Sequence, residues 1–249
     1  MKIKNYLFNL DPDECSKELY DDLCKMFFDG DSKEKLKITS VRNICQKSRY
    51  KDGYFYTLFI DKDKYLLSSD YIGASVHWAR EAGVDTRRIL DHLNISRTIG
   101  GHILFPRGGK ETVNKARGGE KGYYDRFDLT LYAIKEWFAK NKNSQIGDAI
   151  ENYCEWFKLF DDYDNFKNGF ENFVEFFKLE GFIDKENKII DLIKSDLEKN
   201  KRVHLYKEDI SIPKREEEYI RYMKNLEIII QERTEKILCT EPKKLDSIN

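Results

Sequence analysis

The chain has 249 residues, enough for one large domain or two small ones with an ordinary buried core. Its net charge is −1 although 36% of the residues are charged, which excludes a protein that coats nucleic acid through overall positive charge. The five cysteines lie at least nine positions apart, so the sequence indicates neither a CxxC metal motif nor a disulfide framework, and we expect a reducing compartment.

The sequence shows no feature of export or of membrane insertion. The first residues, MKIKNYLFNLD, lack the apolar core of a signal peptide. No run of about eighteen apolar residues occurs, as a membrane-spanning helix would require. We therefore expect a cytoplasmic protein without a membrane partner, and the abundance of Lys, Ile, Asn and Glu is typical of an AT-rich bacterial source.

The first seventy residues predict one helix and one β-hairpin. The helix would begin after Ser16 and continue to about Phe28, because its apolar residues recur at helical spacing and Gly30 follows. The run YFYTLFI from Tyr54 to Ile60 is aromatic and β-branched, DKDK forms a turn, and KYLLSS is a second extended segment. These segments together predict an antiparallel hairpin.

Two short helices are predicted next. Ser69 or Asp70 can cap the first helix, and Gly83 would end it at the position after the C-cap. Asp85 can cap the second helix, which would run to about Leu93. We expect both helices to pack on the sheet that contains the hairpin.

The second half of the chain is almost wholly helical in its pattern. Apolar residues recur at steps of three and four within 127–138, 146–160 and 166–177, which predicts three amphipathic helices with a largely aromatic core. A charged helix over 186–199 and a long helix from Pro213 to about Cys239 would follow. The expected buried stripe of the long helix is Tyr219, Met223, Leu226, Ile230 and Ile237.

No linker rich in Pro, Gly or Ser separates the two halves, and no repeat of domain length is present. We therefore predict a single compact domain over residues 1–249 of the α+β class, predominantly α-helical. A small antiparallel β-sheet would lie in the N-terminal half, within a mixed part over 1–125. A C-terminal helical layer would follow over 126–249.

The segment from Ser96 to Leu131 has an uneven composition that indicates a site. It holds seven of the fourteen glycines in the chain. Between Arg97 and Arg126 seven basic residues outnumber three acidic ones, although the chain as a whole is nearly neutral. An anion would therefore be attracted to this segment.

A second β-hairpin is predicted inside this segment. His102–Phe105 is apolar and is bounded by Gly-Gly pairs, and Glu111–Lys115 follows the sequence RGGK. Pairing of the two strands would place Thr112 and Asn114 on one face. In this interpretation the glycines serve the turns first and a ligand second.

Two RGG triplets favour an anionic ligand. They begin at Arg107 and Arg117, ten residues apart. Consecutive backbone N–H groups at a Gly-Gly pair can form a concave anion site, and the planar guanidinium group of arginine fits phosphate or carboxylate. The candidate ligand-binding residues are Arg97, Arg107, Thr112, Asn114, Arg117 and Arg126.

Three residues are candidates for proton transfer. His102 titrates near neutral pH and lies among the arginines. Asp125 and Asp128 stand at the start of a helix, where they could assist His102 or could instead cap the helix and pair with arginines in a buried network. Two carboxylates three positions apart are too common on helices to indicate Mg²⁺, so we predict no metal ligand.

Several blocks of the sequence together resemble a family of uncharacterised bacterial proteins, a domain of unknown function. The family reads T-I-N-x-A-R-G and D-R-F-D-L-T, and these blocks match residues 112–118 and 125–130, within TVNKARGG and YDRFDLTLYAIKEWF. The resemblance continues through YCEWFKLFDDY to the helix headed by Pro213, about the C-terminal two thirds of the chain. It implies that these residues form one unit and brings no activity with it.

Two functional hypotheses follow. In the first, the arginines hold a phosphate-bearing ligand, either a nucleotide or a nucleic acid, which the protein binds or acts on. In the second, the Arg/Asp cluster is a structural ion-pair network within a non-catalytic interaction protein. Arginines that converge in an open cleft would favour the first hypothesis, and arginines buried against aspartates would favour the second. The sequence identifies no cofactor and leaves open whether the protein is an enzyme.

Overall fold

A computed structural model describes residues 17–28, 38–47, 52–60, 63–108, 111–118, 126–141, 146–161, 167–206 and 211–239, together with Leu36 and Asp164. Its architecture is α+β, as predicted, with an antiparallel sheet in the N-terminal half and helices through the C-terminal half. The first helix, α1, spans Lys17–Phe28. Its predicted flanking residues, Ser16 and Gly30, lie outside the described residues.

The sheet contains four strands in the order β1-β2-β3-β4, and each neighbouring pair is antiparallel. Strands β2 and β3 form the hairpin that the runs YFYTLFI and KYLLSS predict. The strand bounds are Ile38–Lys47 for β1, Asp52–Ile60 for β2, Asp63–Tyr71 for β3 and His102–Arg107 for β4.

The prediction that His102–Phe105 pairs with Glu111–Lys115 is wrong. Strand β4 pairs instead with β3, with Tyr71 opposite His102. The segment after the loop forms a short helix, α4, over Val113–Arg117. The side chain of Thr112 caps this helix by accepting a hydrogen bond from the backbone N–H of Lys115 at 3.1 Å. Strand β4 thus pairs with β3, about thirty residues upstream, and not with the segment that follows the Gly-Gly turn.

The helices between β3 and β4 begin later than the sequence predicts. Ser69 and Asp70 belong to β3, and Ser75 caps α2 over Val76–Glu81. Gly83 ends this helix as predicted, and its φ of 88° is one that glycine adopts without strain. Asp85 caps the next helix, α3, by accepting from the N–H of Arg87 at 2.8 Å. The span of α3 is Thr86–Ser96.

The C-terminal half follows the predicted helical pattern with two exceptions. The single helix predicted over 146–160 is divided into α6 and α7. The charged helix predicted over 186–199 is replaced by turns and isolated bridges. The carboxylate of Asp184 accepts from the backbone N–H groups of Glu186 and Lys188 at 2.8 and 2.9 Å, and such local acceptors compete with helical hydrogen bonds. The helix bounds are Phe127–Phe138 for α5, Gly147–Glu151 for α6, Cys154–Lys158 for α7, Gly169–Phe176 for α8 and Glu216–Cys239 for α9.

The long helix α9 packs against a short 3₁₀ turn, Ile99–Gly101, that leads into β4. The two backbones approach so closely that a Cβ on Gly100 would lie 2.2 Å from Oγ1 of Thr234 and 2.4 Å from the carbonyl oxygen of Ile230. A Cβ on Gly101 would lie 1.6 Å from the carbonyl oxygen of Ser96. The close packing of this turn against α9 and against the end of α3 therefore requires glycine at both positions. The prediction that the glycines serve mainly to form turns did not include this packing.

Candidate functional site

Strand β4 divides the predicted cluster between the two faces of the sheet. Successive side chains on a strand point to opposite faces, so His102 and Arg107 point in opposite directions. His102 lies opposite Tyr71, and their ring centroids are 5.6 Å apart. Arg107 shares its face with Ile103, whose register partner on β3 is Asp70. The residues predicted to converge around one anion therefore do not form one cluster.

Arg117 is bound to the sheet on the Asp70 face. Its Nη1 donates to Oδ2 of Asp70, and its Nε donates to Oγ1 of Thr130 at 2.7 Å. The guanidinium carbon lies 5.3 Å from the centroid of the Phe127 ring. Both members of the ion pair are buried, with side-chain exposures of 3% for Arg117 and 4% for Asp70. Arg117 therefore connects α4, β3 and α5.

Arg126 forms a second buried network, with Asp128 and Asp191. Its Nη2 donates to Oδ2 of Asp128 at 2.5 Å and to Oδ1 of Asp191 at 3.0 Å, and its Nη1 donates to the carbonyl oxygen of Ser211 at 2.7 Å. Burial alone would lower the pKa of Arg126, but the carboxylate of Asp128 raises it above its ordinary value, with a smaller contribution from Asp191. The arginine of the DRFDLT block thus holds three separate parts of the chain together.

Asp128 pairs with an arginine, as one alternative predicted, but it is not the cap of α5. The N-cap of α5 is Arg126, which makes no side-chain capping bond, and Asp128 turns to Arg126 and to the backbone N–H of Leu192, which donates to Oδ2 at 3.0 Å. The other predicted acid, Asp125, lies outside the described residues. Asp128 is therefore engaged in the network with Arg126.

The remaining predicted ligand residues lie around the end of β4. Arg107 is half-buried and lowers the pKa of Tyr153 against the larger effect of burial, which raises it. Thr112 uses its hydroxyl group to cap α4, and Asn114 accepts from the backbone N–H of Gly118 through its own carbonyl oxygen at 3.2 Å. The hydroxyl group of Thr112 is thereby committed to the local backbone.

His102 is fully buried. Its Nδ1 lies 3.0 Å from the carbonyl oxygen of Thr98, and because a carbonyl oxygen can only accept, Nδ1 donates. Its Nε2 makes no hydrogen bond to any described residue. The pKa of His102 is lowered to about 4, mainly by burial and also by the charges of Arg233 and Arg97, against the opposing effect of the hydrogen bond to Thr98. The imidazole is therefore neutral at physiological pH.

Arg97 and Arg233 are the two guanidinium groups near His102. Arg97 follows α3 as its C-cap, is 7% exposed, and its Nε makes no hydrogen bond within the described part of the chain. Arg233 lies on α9, is 1% exposed, and its Nη1 donates to the carbonyl oxygens of Gly100 and His102 at 2.5 and 2.8 Å. Its Nη2 also lacks a partner among the described residues. We call Arg97, His102 and Arg233 the basic cluster.

The basic cluster contains no carboxylate. None of its three members forms an ion pair with another described residue, in contrast to Arg117 and Arg126. Burial lowers the pKa of Arg233, and Glu180, which pairs with Lys236 at 3.2 Å, offsets only part of this effect, so that the pKa is about 9. A buried region with two guanidinium groups and an imidazole is electrostatically favourable for an anion.

Arg233 is not among the residues that the sequence predicted, although the spacing of α9 contains a signal for it. The buried stripe of α9 steps by three or four residues except between Ile230 and Ile237. Arg233 fills that gap, because it follows Ile230 by three positions and precedes Ile237 by four. A cation on the apolar face of a helix indicates either an internal partner or a ligand.

His92 is also buried but has partners for both ring nitrogens. Its Nε2 accepts from the backbone N–H of Ala74 at 3.1 Å, and its Nδ1 donates to Oε1 of Glu227 at 2.8 Å. Arg88 pairs with the same carboxylate at 2.7 Å. Burial lowers the pKa of His92, and the hydrogen bond to Glu227 opposes that change. This group connects α3 to α9 and requires no ligand.

Within the described ranges, no group of three or more His, Cys, Asp and Glu side chains is arranged to hold a metal ion. No helix in the described part of the chain combines the length and the apolar character needed to cross a bilayer.

Comparison with known proteins identifies a family. The family of unknown function DUF6994 matches residues 3–237, nearly the whole chain. No curated protein and no solved structure matches the sequence. The match includes both blocks, TVNKARGG and DRFDLT, that carried the resemblance, and the structure gives each arginine in them a buried carboxylate partner. The chain therefore belongs to the family of unknown function DUF6994.

Proposed function

We propose that this chain binds a phosphate-bearing ligand through the basic cluster of Arg97, His102 and Arg233. The observation that carries the proposal is that each of these buried side chains has one ring or guanidinium nitrogen without a partner among the described residues. A buried polar group left without a hydrogen bond destabilises a protein by about 1–3 kcal/mol. Three such atoms around the same 3₁₀ turn are therefore best explained by a ligand that contacts them.

The charges support an anion rather than a neutral ligand. Arg233 is a buried cation whose hydrogen bonds go to backbone carbonyl oxygens, and a buried charge without a counter-ion is unfavourable by several kcal/mol. A phosphate group supplies negative charge and several acceptor oxygens, which suits the fixed N–H geometry of guanidinium groups. Binding would thus neutralise Arg233 and satisfy Arg97 at once.

The burial of the cluster favours a small ligand, such as a nucleotide, over a nucleic acid. Proteins that bind a nucleic-acid backbone neutralise several phosphates with Lys and Arg side chains that reach the surface. The members of the basic cluster are at most 7% exposed, so they suit one enclosed phosphate group. We therefore assign ligand binding to the basic cluster and stabilisation of the fold to Arg117, Arg126 and Asp128.

The experiment is a thermal-unfolding titration with inorganic phosphate and with a nucleotide, combined with native mass spectrometry of protein purified from cells. We expect the melting temperature of the wild-type protein to rise by about 5–10 °C at a ligand concentration one hundred times Kd. Arg97→Met should abolish this rise while keeping the melting temperature of the ligand-free protein, because no hydrogen bond joins the Arg97 side chain to the described fold.

Arg215→Met is the matched control. Arg215 is exposed just before α9, and its ion pair within the described part of the chain is with Glu218, at 2.6 Å, so its loss should leave the response to phosphate unchanged. An unchanged melting temperature in the wild-type protein, together with no retained phosphate compound in native mass spectrometry, would contradict the proposal.

A second candidate function is a non-catalytic interaction protein that uses its arginines only for its fold. It is favoured by the two buried networks, in which Arg117 is paired with Asp70 and Arg126 with Asp128 and Asp191. Under this alternative, native mass spectrometry should show a protein partner and no phosphate compound. The basic cluster would then bind no anion in the titration above.

A further inference from the structure

His102 has a fixed tautomer. The carbonyl oxygen of Thr98 accepts a hydrogen bond from Nδ1 at 3.0 Å, so the single proton of the neutral imidazole resides on Nδ1. Nε2 then carries a lone pair, and it has no donor among the described residues. In the neutral state the atom that His102 offers to a ligand is therefore an acceptor, whereas Arg97 and Arg233 offer only donors.

The surroundings keep the imidazole neutral. Arg97 at the end of α3 and Arg233 on α9 both act on it electrostatically, and the ring of Tyr71 lies beside it on β3. No carboxylate among the described residues pairs with His102, and the acid that acts on Arg233 is Glu180. The pKa of His102 is lowered to about 4 by burial first and by the two guanidinium groups next.

A ligand for the basic cluster must present both hydrogen-bond acceptors and a hydrogen-bond donor. Unprotonated oxygens are needed for the guanidinium N–H groups, and one O–H is needed for the lone pair of Nε2. Hydrogenphosphate and singly protonated phosphate monoesters have both. Sulfate at neutral pH has acceptor oxygens alone, so its oxygen would face the lone pair of Nε2.

We propose that the basic cluster selects a protonated oxyanion: Nε2 of His102 accepts a hydrogen bond from the P–OH group of the ligand, while Arg97 and Arg233 donate to its other oxygens. This inference rests on the proposed function and specifies its ligand chemistry. No covalent bond forms or breaks, and the proton remains between the phosphate oxygen and Nε2. Sulfate can bind only if His102 first takes a proton from the solvent.

The test is calorimetric titration of the full chain with inorganic phosphate and with sulfate, in buffers of different ionisation enthalpy so that proton uptake is measured. Near neutral pH, we expect phosphate to bind at least about tenfold more tightly than sulfate, the ratio expected for one unmatched buried hydrogen bond. Hydrogenphosphate should bind without proton uptake from the solvent. Sulfate should bind with the uptake of one proton, and its affinity should rise as the pH falls.

His102→Gln provides a second arm, because a glutamine amide can turn its N–H₂ or its oxygen towards the ligand. In this variant the preference for phosphate should fall towards unity. Equal affinities and equal proton uptake for the two anions in the wild-type protein would overturn the selectivity and leave anion binding in place. Absence of binding by either anion would overturn the proposed function as well. The wild-type comparison decides the question even if the variant does not fold.

Discussion

Arg117 donates a hydrogen bond to Asp70 across 47 positions of sequence, and both side chains are almost fully buried. The pair joins the short helix α4 to the central strand β3. Breaking a buried ion pair by removing one partner leaves the other charge buried and uncompensated. The arginine of the TVNKARGG block therefore has a structural role that its position beside two glycines did not suggest.

Arg117→Ala should lower the free energy of unfolding by about 3–5 kcal/mol. Urea unfolding measures this change. The same measurement on the double variant Arg117→Met/Asp70→Leu tests whether the unpaired buried charge causes it. The double variant should recover much of the loss, because no unpaired charge remains buried. A loss below about 1 kcal/mol in Arg117→Ala, as for a surface pair, would show that the pair does not stabilise the fold.

The two acids around Arg126, Asp128 and Asp191, should differ in how much they contribute to the free energy of unfolding. Asp128 accepts two hydrogen bonds from Arg126, through Nε and Nη2, whereas Asp191 accepts one. Both acids also accept from backbone N–H groups, Asp128 from Leu129 and Leu192 and Asp191 from Ile193 and Lys194. Burial raises the pKa of Asp191, and the charge of Arg126 and the backbone N–H groups of Ile193 and Lys194 only partly reverse this rise. Asp128→Asn should therefore destabilise the protein by about 2 kcal/mol or more, and Asp191→Asn by about 1 kcal/mol or less. Urea unfolding of both variants gives the ranking, and a reversed order would contradict this assignment.

Acid should destabilise the ligand-free protein through its buried histidines. The pKa of His102 is about 4 in the folded state and about 6.5 in the unfolded state, so the unfolded state binds more protons between these values. Stability is then fully present above about pH 6.5 and decreases as the pH falls towards 4, by an amount on the order of 3 kcal/mol for His102. His92 acts in the same direction, because burial also lowers its pKa.

Urea unfolding between neutral pH and about pH 4 measures this effect. His102→Gln should make the free energy of unfolding depend less on pH. His92 should account for part of the remaining dependence, since Nε2 of His92 must stay unprotonated to accept from the backbone N–H of Ala74. Identical curves for the wild-type protein and His102→Gln would mean that His102 is not buried in its neutral form.

Gly101→Ala should disrupt the packing between the 3₁₀ turn and α3. Its new Cβ would lie 1.6 Å from the carbonyl oxygen of Ser96, a backbone atom that cannot move independently. We expect a loss of about 3 kcal/mol or more, at the upper end of the effects of overpacking. Gly108→Ala is the matched control, since its Cβ would meet the Tyr153 hydroxyl oxygen at an ordinary 3.5 Å. Thermal unfolding compares the two, and equal melting temperatures would contradict the close approach.

Local sequence patterns predicted much of the fold. The β2–β3 hairpin, the Asp85 cap, α5 and the long C-terminal helix all depend on neighbouring residues, whose spacing and capping preferences act over a few positions. The second hairpin was predicted wrongly because the partner of β4 is β3, thirty residues upstream. Turn residues cannot exclude such a distant partner.

The candidate site was harder to predict than the fold. The arginines were recognised by composition, but composition does not reveal which of them has a carboxylate within reach. Asp70 and Asp191 lie far from Arg117 and Arg126 in sequence, and only the folded chain brings them together. Among the described residues, no acid forms an ion pair with Arg97 or His102, and Arg233 lies near them although it is far away in sequence.

The distance in sequence between His102 and Arg233, 131 positions, affects the order of events during synthesis. The ribosome makes the four strands long before α9, so a nascent chain can complete the sheet while its imidazole, Gly100 and Gly101 are still uncovered. Until the last helix arrives, this surface is available to chaperones and to other unfinished copies. The contacts between α9 and the 3₁₀ turn can therefore form only after the residues of the sheet have been synthesised.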